Sequence, residues 1–132
     1  MRVDVLLPRT GQAFFSGGTA LDLTVVHPLQ PSLVSSASTV PLHSCVVKES
    51  AKCSKYIPLC DAEKITFMPI VFEFFGSWGP SADGFFNNLS RVISRRFDVP
   101  CSSIHLSLSR KLSISLVRSN ALAVFRRLPV SD

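Results

Sequence analysis

The apolar and polar positions near the amino terminus alternate in two short stretches. In residues 20–26, three apolar side chains alternate with Asp22 and Thr24, the period of two that is typical of a β-strand with one apolar face. An earlier stretch, 3–7, carries Asp4 between apolar neighbours. Three glycines lie in the segment between them and predict a turn. We therefore expect an antiparallel pair of strands, each of which holds one carboxylate.

The middle of the chain predicts a loop followed by a helix. Residues 28–44 are rich in Ser and Pro and poor in charge, which is typical of a long irregular loop. Residues 45–59 carry three lysines at spacings of four and three, so a helix would present the ammonium groups in one row. These lysines are Lys48, Lys52 and Lys55.

The second half of the chain predicts one more strand and two helices. The apolar, β-branched and aromatic run 65–75 is typical of a buried central strand, which we expect Pro69 to bend or bulge. Two C-terminal helices follow within 81–128, separated by the Pro100 region. The pattern predicts a single domain over 1–132 of the α/β (α+β) class: a small mixed β-sheet with flanking helices.

Composition supports a folded domain and sets its expected environment. The chain has 132 residues, of which 46% are hydrophobic and 17% charged, enough for one core but not for two. No stretch is long enough to span a membrane, so no membrane partner is expected. The amino terminus lacks the uninterrupted apolar region of a secretory signal. We expect an intracellular protein that is not secreted, and a nuclear location is compatible with these features.

The four cysteines fit neither a zinc site nor a disulfide framework. Their spacings contain no CxxC pair, and the spacing of His43 from Cys45 and Cys53 is too irregular to predict a zinc site. Free thiols in a reducing compartment are the simplest interpretation. The cysteines are Cys45, Cys53, Cys60 and Cys101.

Positive charge accumulates in the last third of the chain. The formal net charge is +5, and most of the excess follows residue 90. Such charge attracts a phosphate backbone whatever its sequence, although a solvated helix face has the same composition. Our candidates for nucleic-acid contacts are Arg95, Arg96, Arg110, Lys111 and Arg118.

Four motifs in a fixed order resemble a known family. The chain is similar to the carboxy-terminal restriction-enzyme-like endonuclease region of non-long-terminal-repeat retrotransposon (reverse transcriptase) polyproteins, a branch of the PD-(D/E)XK nuclease fold. The resemblance covers nearly the whole chain. The motifs are Arg2-x-Asp4-Val-Leu-Leu-Pro, Ala20-Leu-Asp22-Leu-Thr-Val-Val-His-Pro-Leu, Glu49-x-x-Lys52-x-x-Lys55-Tyr56 and Pro69-Ile-Val-Phe-Glu73-x-x-Gly76-x-Trp78-Gly79-Pro80.

The resemblance implies a metal-dependent DNA endonuclease. Asp4 and Asp22 would be the catalytic acids that bind Mg²⁺ or Mn²⁺. Lys52 or Lys55 would be the catalytic lysine, displaced onto the helix, since Thr24 stands where the standard motif has Lys. The substrate would be DNA, cleaved at a phosphodiester. The family carries a reverse transcriptase and nucleic-acid-binding fingers upstream. They are absent from this chain, so we expect a fold truncated at its amino terminus.

Two other functions compete with the endonuclease. A degenerate nuclease fold would bind nucleic acid without cutting it, or would be a relic without activity. A protein-interaction module would use the aromatic run Phe72, Phe74, Phe75 and Trp78, although such runs are more often core strands. The acid Glu73 could serve as a third metal ligand or cap the helix that begins near Pro80.

Overall fold

The computed structural model describes residues 4–7 and 18–127. Within these residues the chain forms three strands and four helices, which confirms a mixed α/β fold with a small sheet and flanking helices. The predicted glycine turn lies largely in 8–17, and Arg2 and residue 128 also lie outside the described residues. The elements are β1 Val5–Leu7, β2 Thr19–Val26, α1 Val34–Ala37, α2 His43–Ala62, β3 Thr66–Glu73, α3 Pro80–Phe97 and α4 Cys101–Phe125.

The sheet has the order β1-β2-β3 and contains both kinds of pairing. β1 runs antiparallel to β2, with Val5 opposite Leu21, which confirms the predicted antiparallel pair. β2 runs parallel to β3 in an unbroken register that ends with Val26 opposite Glu73. Parallel neighbours need a long connection, and the crossover between β2 and β3 contains α2.

The prediction that β3 is a central strand is wrong, because it lies at the edge of the described sheet. Its outer edge is partly occupied: Gly79 donates its N–H to the Val71 carbonyl, and Glu73 donates to the Ser77 carbonyl, each at 2.8 Å. Backbone groups alternate along a strand, so the missing N–H of Pro69 also falls on the outer edge. It therefore removes no bond to β2, and the register passes Pro69 without the predicted bulge.

Alternating side chains of β2 and β3 build a core on each face of the sheet. Burying each large side chain contributes on the order of 1.5–3 kcal/mol. The core under α3 contains Leu21, Ile70, Phe72, Ala82 and Phe86. The core under α2 contains Val26, Cys45 and Val71.

The segment 28–44, predicted as a loop, contains more structure than its composition indicates. Residues Val34–Ala37 form the single turn of α1, and the last two residues of the segment already belong to α2. Leu33 and Leu42 are partly buried against the core under α2. This apolar contact holds the Ser- and Pro-rich segment against the domain.

The two C-terminal helices are present as predicted, and α4 is attached to the turn after β3. Pro80 occupies the first turn of α3, where its missing N–H costs nothing. Ser113 donates a hydrogen bond to the Gly76 carbonyl at 2.7 Å, and Asn120 donates one to the Phe74 carbonyl at 2.8 Å. None of the helices within 18–127 combines the length and the apolar character needed to cross a membrane.

Candidate functional site

Asp22 and Lys52 form an ion pair between β2 and α2. The Lys52 ammonium donates a hydrogen bond to Oδ2 of Asp22, although the two residues are 30 positions apart. Their side chains are only 15% and 13% exposed for Lys52 and Asp22. Solvent and salt therefore screen this pair less than a surface ion pair, and removal of either partner would leave a poorly solvated charge.

Asp4 lies beside this ion pair, at the residue that precedes β1. The N–H of Asp4 donates to the Leu21 carbonyl at 3.2 Å, and Oδ2 of Asp4 accepts a hydrogen bond from the N–H of Leu23 at 2.7 Å. These two partners flank Asp22 in the sequence. The structure thus brings Asp4, Asp22 and Lys52 to one region of the sheet.

Lys55 does not contact Asp22. It is exposed, and its ammonium lies 4.9 Å from the centroid of the Tyr56 ring. That ring in turn packs at 5.3 Å from Phe67 of β3. Lys48 is also exposed, so the three lysines differ in environment although they lie on one helix, and only Lys52 is directed at the acid.

The donor set at Asp4 and Asp22 is compatible with a magnesium ion. Mg²⁺ is commonly held by one or two carboxylates, with waters and substrate phosphates completing its shell. Each carboxylate uses Oδ2 for the contacts described above, which leaves Oδ1 as a further donor. Within residues 4–7 and 18–127 there is no group of three or more His, Cys, Asp or Glu placed to hold a metal, so the protein's share would be these two acids.

Glu73 does not join Asp4 and Asp22. It pairs with Val26 in the sheet, four residues along β2 from Asp22, or about 13 Å at the usual rise per residue. Its Oε1 instead accepts a hydrogen bond from the hydroxyl of Ser44 at 2.5 Å, in the first turn of α2. The expectation of a third metal ligand is therefore not supported by this placement.

The acid at the start of α3 is Glu49, not Glu73. Glu49 of α2 is buried, and its carboxylate accepts hydrogen bonds from the N–H of Ser81 at 3.2 Å and from its hydroxyl at 2.9 Å. Sequence reasoning missed this role. The only local signal was the position of Glu49, three residues before Lys52 on a predicted helix. That position does not predict which residue the carboxylate contacts.

A polar cluster around Asp83 was also absent from the sequence predictions. Trp78 donates its indole N–H to Oδ1 of Asp83 at 3.2 Å, and Asn87 donates to Oδ2 at 2.9 Å. Nε2 of His105 lies 3.9 Å from Oδ1 of Asp83, at the edge of an open cleft of about 430 Å³. The cluster joins α3 to α4, since these residues come from both helices and from the turn before them.

His27 packs on an aromatic ring and does not face the two acids. Its imidazole stacks on Phe74 with 4.8 Å between ring centroids, and its Nδ1 accepts a hydrogen bond from the N–H of Leu29 at 3.2 Å. This is a turn histidine with a structural role.

The basic residues proposed for nucleic-acid contacts are exposed on α3 and α4. Two lie in the last turn of α3, where positive charge also complements the helix dipole. The others lie on α4, in a stretch with no acid between Val99 and Ser131. The structure leaves all five side chains accessible, and they are Arg95, Arg96, Arg110, Lys111 and Arg118.

None of the four cysteines, all of which lie within 18–127, forms a disulfide. Cys45 is fully buried, with its sulfur 3.8 Å from the Val71 carbonyl oxygen. Burial, followed by the negative charges of Glu73 and Glu49, raises the pKa of the Cys45 thiol to about 12. Burial likewise raises the pKa of the Cys53 and Cys60 thiols. Cys45 is thus a protonated core residue at neutral pH.

Comparison of the chain with protein-family models, with curated proteins and with solved structures finds no match in any of the three. A function is therefore inferred from the residues and their geometry.

Proposed function

We propose that this chain is a nuclease-like domain of the retrotransposon endonuclease type, in which Asp4, Asp22 and Lys52 form a site for metal-dependent cleavage of DNA. The observation that carries the proposal is the contact between Lys52 and Asp22. The resemblance in motif order implies, independently of this contact, that Asp22 shares one site with either Lys52 or Lys55. The neighbouring position of Asp4 adds the second acid.

The residue types suit phosphodiester cleavage. A bound Mg²⁺ or Mn²⁺ would neutralise charge on the phosphate and lower the pKa of the attacking water. Asp4 and Asp22 would hold the ion through their carboxylates. Lys52 would place its ammonium where negative charge develops on the phosphate or would orient the water. The lysine also neutralises Asp22 in the structure described here, so substrate or metal would have to compete with it for that carboxylate.

The surface charge supports DNA as the substrate. The net charge is +5, and the exposed basic residues of α3 and α4 can contact phosphates outside the site. Contacts of this kind position a duplex without reading its sequence. Binding that depends on them should weaken steeply as salt is raised.

A second function, DNA binding without cleavage, is favoured by one feature of the same site. Both acids already have a protein partner for Oδ2: Lys52 for Asp22 and the Leu23 N–H for Asp4. A site whose carboxylates already have protein partners would be stable without metal. An inactive relic and an active enzyme would therefore share this geometry and differ only in activity.

Nicking of supercoiled plasmid with Mg²⁺ or Mn²⁺ tests the proposal. The parent is compared with the double variant Asp4→Ala with Asp22→Ala and with the control Asp61→Ala, which removes an exposed acid of α2. Metal-dependent nicking by the parent and the control, lost in the double variant, supports the endonuclease. A folded parent that binds DNA without nicking supports the second function, and equal nicking by parent and double variant contradicts the site.

A further inference from the structure

A cavity of about 360 Å³ lies beside α1, at the carboxyl ends of the parallel strands β2 and β3. Ligands of α/β sheets commonly bind at this edge, and small-molecule pockets begin at about 300 Å³. The cavity does not include Asp4, Asp22 or Lys52, so it is independent of the proposed nuclease site.

The cavity has apolar walls and one ionisable group. Its walls come mainly from the Pro- and Ser-rich segment before α2, including Leu29, Val34, Ala37 and Leu42. Among the residues that the structure describes, Glu73, the last residue of β3, is the one ionisable residue that lines it. The lining thus offers a ligand an apolar surface and a single negative charge.

The half-buried Glu73 has fewer hydrogen-bond partners than Glu49, which is buried. Within 4–7 and 18–127, the Glu73 carboxylate accepts one hydrogen bond, from the hydroxyl of Ser44, and takes part in no ion pair. Glu49, in contrast, is held by both the N–H and the hydroxyl of Ser81. A partly desolvated carboxylate favours a cation with hydrogen-bond donors. Glu73 retains Oε2 for such a partner.

We propose that this cavity binds a small organic cation of the alkylammonium class. The ammonium group pairs with Oε2 of Glu73, and the alkyl chain lies against Leu29, Val34 and Leu42. The domain carries a net charge of +5 and repels cations in general, so binding depends on the local charge of Glu73. A neutral ligand of the same shape fills the walls but leaves the carboxylate without a partner.

The first test is a titration of the full chain with n-pentylammonium chloride, followed by ¹H–¹⁵N NMR. The variant Glu73→Gln removes the charge and keeps an acceptor for Ser44, whereas Glu63→Gln, at the exposed end of α2, is the matched control. Loss of one charge-assisted hydrogen bond predicts about tenfold weaker binding in Glu73→Gln. The control should bind like the parent, and 1-pentanol should bind the parent about tenfold more weakly than the ammonium ion.

A second variant tests the walls without touching the carboxylate. Ala37→Leu places a larger side chain into the cavity, so pentylammonium binding should be lost while the spectrum around Asp22 and Lys52 stays unchanged. The parent titration is then repeated with Nα-acetyl-lysine methylamide. Tighter binding of n-pentylammonium indicates a free amine as the ligand, whereas tighter binding of Nα-acetyl-lysine methylamide indicates the lysine side chain of a polypeptide. Equal affinity of parent and Glu73→Gln, equal affinity for the ammonium ion and 1-pentanol, or no binding by a folded parent would each overturn the proposal.

Discussion

The carboxylate of Glu49 accepts hydrogen bonds from the backbone N–H and the hydroxyl of Ser81, at 3.2 and 2.9 Å. Glu49 lies on α2, over one face of the sheet, and Ser81 lies at the start of α3, which covers the other face. The first N–H groups of a helix have no partner within the helix and carry partial positive charge. One acid thus joins the two helical layers around the outer edge of β3.

Replacement of Glu49 should destabilise the fold. Glu49→Ala leaves the N–H of Ser81 without its acceptor, and we expect a loss of about 1–3 kcal/mol. Glu49→Gln keeps an acceptor but loses the charge, so it should lower the free energy of unfolding by less than Glu49→Ala does. Urea unfolding measures both, with Glu63→Ala, at the exposed C-cap of the same helix, as the control. Equal stability of Glu49→Ala and the control would show that this contact does not hold the layers together.

Gly79 permits the close approach of α2 to the start of α3. A Cβ at this position would collide with Oε1 of Glu49 and lie 3.0 Å from Cβ of Cys45, although the backbone angle φ of −76° suits any residue. We expect Gly79→Ala to cost about 1–3 kcal/mol by overpacking.

The matched control for Gly79 is Gly84→Ala, within the helix α3 that Gly79 precedes as N-cap. A Cβ at Gly84 meets nothing within 4 Å, and alanine favours the helix by about 0.5–1 kcal/mol over glycine. The two substitutions should therefore shift the thermal midpoint in opposite directions. A shift of the same sign and size would mean that the contact of Gly79 with Glu49 is not tight.

The Asp22–Lys52 ion pair should show energetic coupling. Lys52→Met leaves a poorly solvated carboxylate, and we expect a loss of about 1–3 kcal/mol, below the 3–5 kcal/mol typical of fully buried pairs because these side chains retain some exposure. The double variant with Asp22→Asn should lose less than the sum of the single variants. Exposed Lys55→Met should change stability by at most about 0.5 kcal/mol. Additive losses in denaturant unfolding would contradict the pair.

Cys45 should make the protein less stable at alkaline pH. Its pKa is raised from 9.0 to about 12 in the folded state, so between these values the folded protein binds more protons than the unfolded chain. Stability therefore falls as pH rises above 9, by up to about 1.4 kcal/mol per pH unit for this group. Unfolding of the parent and Cys45→Ala from pH 8 to 10.5 should show a shallower decline in the variant, and parallel curves would contradict this assignment.

The basic surface of α4 should contribute to DNA binding through charge alone. The double variant Arg110→Gln with Lys111→Gln removes two exposed charges and should weaken binding to all sequences equally. The slope of log affinity against log salt should fall by about 0.9 for each phosphate that the variant no longer neutralises. Fluorescence anisotropy on a DNA duplex measures it, with Lys64→Gln, at the far end of α2, as the control. An unchanged salt slope would place the DNA-binding surface elsewhere.

Local pattern was sufficient for much of the fold and for part of the candidate site. The period-two stretch around Asp22 predicted β2 and its antiparallel partner, and the lysine spacing predicted α2. Both patterns depend on side chains within a few residues of each other, so the sequence carries them directly. The resemblance carried by the four motifs implied that Asp22 shares a site with Lys52 or Lys55, and the structure brings Lys52 into contact with Asp22.

The sequence by itself determined the main strands and helices, apart from α1, whereas only the tertiary structure decided which neighbours those elements contact. When helices cover both faces of a sheet, a central strand and an edge strand have the same apolar sequence pattern. The position of β3 in the sheet could therefore not be predicted from the sequence. The choice between Glu49 and Glu73 at the start of α3, and between Lys52 and Lys55 at Asp22, depends on packing between segments about 30 residues apart. Short-range periodicity contains no information on such contacts, because they depend on the position of each helix on the sheet and on its rotation about its own axis.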